Sequence, residues 1–147
     1  MSTPKTLSPE EQRRLLASLR AEIARVSDEQ VTEGRPRHLA NRLTQTELDK
    51  SQIRNLENLA YTTDKISDIT DLLKKLIGRD TRGKRWAKDG IGLEVIGALE
   101  SLRGEADKIA ANQLDADLPR RVHLELCREF VKHLAAEFLY QKKENQP

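Results

Sequence analysis

The longest periodic pattern in the chain lies between Leu48 and Asp80, where about seven helical turns pass without a proline. Ile53, Leu56, Ala60 and Thr63 share one helical face, whereas Ile66, Ile69, Leu73 and Leu76 share a face rotated by more than about a third of a turn. A straight helix would have to wrap its partners to bury both. The pattern therefore predicts a kink or break near Thr62-Thr63-Asp64, recapped by one of the threonines. Asp49 followed by Gln52 predicts a capping box at the start, and Gly78 is the expected stop, as a left-handed C′ residue.

Three other helical patterns flank this element. Ser8-Pro9-Glu10-Glu11 reads as a capping box with proline at N1, and Leu15, Leu16, Leu19, Ile23 and Val26 give a thin stripe that ends near Ser27. From Gln30 to Asn41 the composition turns polar around Gly34 and Pro36, which predicts a linker with a cluster of arginines. Val95, Leu99, Leu102, Ala106 and Ile109 predict a helix from about Gly92 to Ala111 with Asp89 as its cap. Gly92, Gly97 and Gly104 weaken that helix intrinsically and leave room for close packing. After a loop from Asn112 to Leu118, the stretch from Pro119 to about Lys142 carries a wide apolar arc, from Val122 through Phe130 to Phe138. An arc that broad touches several neighbours, so this is the expected central helix.

These patterns predict an all-α fold: a compact bundle of about five helices with an N-terminal helical arm, divided into a helical arm and basic linker in residues 1–42 and a helical-bundle domain in residues 43–147. Composition agrees, since 34% of residues are charged and only 3% aromatic, a balance suited to slim helices that each bury one stripe. One cysteine, Cys127, excludes an intrachain disulfide and fits a reducing compartment. No apolar run approaches the roughly 20 residues of a membrane span and no signal peptide is evident, so the expectation is a soluble, cytoplasmic protein without membrane contact.

A net charge of +2 says little about partners, but the arrangement of charge says more. Arg79, Arg82, Lys84, Arg85 and Lys88 face a single anion, Asp80, in the most basic window of the chain, with Trp86 in its midst. Clustered cations of this kind release condensed counterions from phosphates. Trp86 is either a stacking platform or a lid folded back onto the core, and the second is the commoner fate of a lone tryptophan. Lys50, Arg54 and Tyr61 share a solvent face of the central pattern. Arg121, Arg128 and Lys132 line up on the last helix, interrupted by Glu125, as a second candidate contact for a polyanion.

Ser51-Gln52-Ile53-Arg54 opening a helix, Gly78-Arg79-Asp80 after it, and a terminal helix reading Leu126-Cys127-Arg128 through Tyr140 resemble the small subunit of type III CRISPR effector complexes, most closely the type III-A form. The matches run in order over roughly residues 43–143; residues 1–42 are longer than the family's usual start, and Gly83 to Gly92 looks like an insertion. The resemblance implies a non-catalytic helical subunit without cofactor or metal. Such subunits stack along the guide RNA and its paired target RNA, associate with one another along the filament and contact the other subunits of the complex. Under it, Lys50, Arg54, Arg79, Arg82, Lys84, Arg85, Arg121, Arg128 and Lys132 are the expected RNA-backbone residues.

Two other readings come from the residues. Arg128 followed after four residues by His133 fits the Arg-x4-His spacing of a superfamily of helical ribonucleases, although Glu129 stands where those proteins carry a polar, uncharged residue. Alternatively, the N-terminal stripe docks a helical adaptor onto a protein partner. His123 and Cys127 lie one turn apart, but a zinc site needs about four ligands and no second pair is present.

Overall fold

Each helix forms where an apolar stripe can be buried and a polar group can close its end. The structure, a computed structural model, describes residues 8–26, 35–111 and 117–144. They form α1 (Pro9–Val26), α2 (Arg35–Thr44), α3 (Lys50–Thr62), α4 (Ile66–Arg79), a single 3₁₀ turn (Lys88–Gly90), α5 (Ile91–Ile109) and α6 (Leu118–Glu144), with no strand among the described residues. The linker residues 30–34, the loop residues 112–116 and the side chains of Leu16 and Val26 lie outside the described part.

The last helix is the centre of the bundle, as its wide arc predicts: α6 packs against α1, α2, α3, α4 and α5. Val122, Leu126, Cys127, Phe130, Val131, Leu134, Ala135 and Phe138 are all buried along it. It runs antiparallel to α3, because Arg128 reaches the carbonyls at the end of α3 while Lys142 reaches the carbonyl of Leu48 just before its start. The arm helix α1 docks on α5 and α6 through buried Leu19 and half-buried Leu15 and Ile23, and the Ser8 hydroxyl accepts the Glu11 amide at its start.

Residues 35–41 correct the linker reading. They belong to α2, which packs on α6 and α5 and buries Leu39, Ala40 and Leu43. Pro36 does not break this helix because it sits in the first turn, where a missing amide leaves no intrahelical bond unmade. The expected division at residues 42 and 43 therefore falls inside a helix.

The central pattern is two helices, as the rotating stripe predicts. The Asp49–Gln52 capping box forms, and Ile53, Leu56 and Ala60 are buried on α3, Ile69 and Leu73 on α4. At the joint, Thr63 is extended with φ −89° and ψ 150°; its hydroxyl accepts the Lys65 amide and lies 2.5 Å from the Asp68 carboxylate. Gly78, expected to stop the element, instead lies within α4, which ends at Arg79 with Asp80 as its C-cap. Asp80 ends the helix by recruiting the following loop, so no left-handed residue is needed.

Asp89 is likewise not the cap of α5. It adopts φ 53°, Gly90 follows as the N-cap at φ 71°, and no side chain caps the helix; the Gly92 amide donates instead to the Trp86 carbonyl at 2.8 Å. The close packing expected of the glycines holds at Gly92 alone, where an added Cβ would come within 2.6 Å of Ile77 and 2.7 Å of the Trp86 carbonyl oxygen. Gly97 and Gly104 face open space.

Candidate nucleic-acid interface

The basic window and the start of α3, far apart in sequence, meet at one end of the bundle. The organiser is Asp80: its carboxylate accepts the amides of Lys84 at 3.3 Å, Arg85 at 2.8 Å and Ala87 at 2.9 Å, folding residues 80–87 around itself. Partial burial pulls the Asp80 carboxyl upward, but the amides of Ala87, Arg85 and Lys84 outweigh it, together with the nearby Arg85 charge, and hold it below its ordinary value. The loop then docks on the segment ahead of α3. The Lys84 carbonyl accepts the Glu47 amide at 2.8 Å, the Lys84 ammonium lies 3.8 Å from the Glu47 carboxylate, and Lys88 Nζ donates to the Gln45 carbonyl at 3.1 Å.

The α3 cap completes this end. Asp49 accepts the Ser51 hydroxyl at 2.6 Å and the Gln52 amide at 3.0 Å, and these bonds, with the Arg85 charge beyond them, keep its carboxyl below its ordinary value. Asp49 and Asp80 thus both accept backbone amides at this end, with the Arg85 charge near each. Lys50, Arg54, Arg79, Arg82 and Arg85 are exposed and form no ion pair among the described residues. The result is a basic pole with fixed backbone and outward cations.

Trp86 lies beneath the pole as a lid. It is 1% exposed, so it offers no stacking surface, and its indole nitrogen has no hydrogen-bond partner among the described residues. The rings left exposed are Tyr61 and Tyr140.

The expected α6 ridge is a different place. Arg128 and Lys142 are fourteen residues apart on α6, which separates their contacts by about 21 Å along the axis. There the cations are engaged. Arg128 donates to the carbonyls of Ala60 and Thr63, both at 2.8 Å, and to Glu125 at 2.5 Å; its side chain is only 21% exposed. Lys132 lies 3.8 Å from Glu129. Arg121 is exposed beside them. Arg128 is thus the C-terminal cap of α3, and its part in the ridge is structural. The sequence pattern missed this because the partners are backbone carbonyls on another helix.

Two cations at the pole were not among the sequence candidates. Lys142 and Lys143 close α6 beside Leu48; Lys142 spends its ammonium on the Leu48 carbonyl and lies 5.3 Å from the Phe138 ring, while Lys143 is exposed. Cations in a last turn are ordinary dipole partners, so the sequence offers no signal that they join a distant loop.

His133 sits 3.7 Å from Glu129, one turn earlier on α6. His123 and Cys127 both reach the Leu99 carbonyl, at 2.8 and 3.6 Å, inside the core. Burial pushes the Cys127 thiol up to about 12. Among the described residues no cluster of His, Cys, Asp or Glu could hold a metal ion, and no helix is long and apolar enough to cross a membrane.

Fold and site together define an all-helical bundle with one preorganised basic pole. No protein-family model, curated protein or solved structure matches the chain.

Proposed function

We propose that the chain is a non-catalytic small subunit of a type III CRISPR RNA-guided effector complex, which lies along the guide RNA–target RNA duplex and holds its backbone without reading sequence. The observation that carries the reading is the pole. Lys50 and Arg54 on α3 and Arg79, Arg82, Lys84 and Arg85 around the Asp80 loop converge on one end of the bundle, and five of these six cations have no ion-pair partner among the described residues. A phosphate backbone needs that arrangement: cations spread over a fixed surface, with no requirement for base-specific groups. The absence of a stacking ring within the loop suits contact with paired RNA, whose bases are already stacked.

In this reading Arg121 and Lys132 contribute less than the pole, and Arg128 acts through the fold. The ribonuclease alternative draws no support from Arg128, whose guanidinium is already bonded to Ala60 and Thr63. The direct test is affinity purification of the tagged chain from its native cells, followed by sequencing of bound RNA. Recovery of repeat-derived guide RNA is the expected result; recovery of no RNA, or of RNA without repeat sequence, overturns the assignment.

A further inference from the structure

The stripe that begins with Lys50 and Arg54 at the pole does not end on a cation. At about 100° per residue, Lys50, Arg54, Glu57 and Tyr61 fall within about 60° of one another on α3, turned away from the buried Ile53, Leu56 and Ala60. Tyr61 lies about 10 Å along the axis beyond Arg54. It is 53% exposed, and its hydroxyl has no hydrogen-bond partner among the described residues. Glu57, half-buried between the two, has no ion pair among them either.

We propose that Tyr61 stacks on an unpaired nucleotide, where the paired RNA held by the pole gives way to single strand. The inference rests on the RNA reading of the pole and adds a second kind of contact to it. Arg54 can hold a phosphate, but Glu57, the next residue of the stripe, cannot, because a carboxylate repels it. A strand running along α3 must therefore present something other than phosphate beyond Arg54. A nucleoside meets that requirement: base and ribose donate N–H and O–H groups that a carboxylate accepts, and the base has a face for the ring. Paired RNA keeps its bases stacked within the helix, so an unpaired base is the one free to lie on Tyr61. Trp86, the large ring nearest the pole, is buried and cannot take this part. Tyr61 thus marks the boundary between paired and unpaired RNA, while the cations behind it grip the backbone.

Fluorescence anisotropy on the full chain tests it with labelled RNA duplexes that differ at one end: blunt, with a short unpaired overhang on the 3′ or the 5′ side, and with the same overhangs made of abasic nucleotides. The abasic probes keep the phosphates and riboses and lack only the bases. In one of the two polarities, the base-bearing overhang should bind about tenfold more tightly than its abasic counterpart, the scale of one base stacked on an aromatic side chain. Tyr61→Ala should bind the two alike, and Tyr61→Phe should keep most of the preference, because the ring and not the hydroxyl carries it. The side chain is exposed, and far-ultraviolet circular dichroism should confirm that both variants are folded. Wild-type chain that binds the blunt duplex but does not distinguish base-bearing from abasic overhangs overturns the stacking role and leaves the pole in place. So does a preference that survives Tyr61→Ala. Failure to bind any of the probes overturns both readings.

Discussion

Arg128 on α6 closes the C-terminus of α3 by donating to the carbonyls of Ala60 and Thr63, each at 2.8 Å. A helix end leaves carbonyls without intrahelical partners, and here the ends of α3 and of the extended Thr63 are satisfied by one planar cation from another element. The contact fixes the α3–α4 joint against the central helix. Arg128→Ala should cost about 2 kcal/mol, the scale of charge-assisted bonds lost from a part-buried site. Arg128→Lys should recover only part, because a single ammonium does not reproduce the two-pronged geometry. Urea unfolding followed by circular dichroism measures both; a loss below about 0.5 kcal/mol for the alanine variant would mean that water replaces the cap.

Gly92 is the close contact between the end of α4, the Trp86 loop and α5. Ile77 could move aside for a methyl group, but the Trp86 carbonyl is backbone and is tied to the Gly92 amide itself. Gly92→Ala should therefore destabilise the chain by about 1 to 3 kcal/mol despite the better helix propensity of alanine. Gly97→Ala and Gly104→Ala, which meet nothing, should stabilise it by up to about 1 kcal/mol each. Thermal unfolding of the three variants side by side reads the opposite signs.

Asp80 links the shape of the pole to pH. Its carboxyl lies below its ordinary value of 3.8 in the folded chain, so the loop contact contributes fully above that value. The contribution is lost as pH falls through the folded value, where protonation removes an acceptor for three amides. Asp80→Asn should lower stability at pH 7 and flatten its fall below about pH 4. Urea midpoints at pH 7 and pH 3 for both proteins give the comparison. An unchanged pH profile in the variant would show that the carboxylate does not organise the loop.

Cys127 should be inert while the chain is folded. Its thiol is fully buried beside the Leu99 carbonyl, and burial pushes it up to about 12, so almost no thiolate exists at neutral pH. A thiol reagent at pH 8 should label it only as fast as the chain opens, and immediately in denaturant. Rapid labelling of the native chain would contradict the packing of α5 on α6.

Helix type and the kink were legible in the sequence because local periodicity sets them: the two faces of the 48–80 pattern differ in direction, and the chain breaks where they change. The fate of α2 was not, because Leu39, Ala40 and Leu43 make too short a stripe to register against the flanking Gly34 and Pro36; tertiary burial on α6 decides it. Helix ends were read well where a side chain caps its own helix, as at Asp49, and poorly where backbone groups of the adjoining loop shape the end, as near Gly78 and Asp89. The same distinction governs the candidate site. The basic residues were visible one by one, but their division into an outward pole and an engaged ridge depends on carbonyls of other elements.

The central claim, that the pole is the RNA contact, is tested most directly by fluorescence anisotropy with a labelled RNA duplex of about 20 base pairs, a length matching a guide–target heteroduplex, titrated at several salt concentrations. Each phosphate contact removed should lower the slope of log affinity against log salt by about one. Lys50→Glu/Arg54→Glu/Arg85→Glu should therefore weaken binding strongly and reduce the slope by about three, while Arg121→Glu/Lys132→Glu leaves most of the affinity in place. Binding and slope unchanged in the pole variant, or lost instead in the ridge variant, would contradict the account.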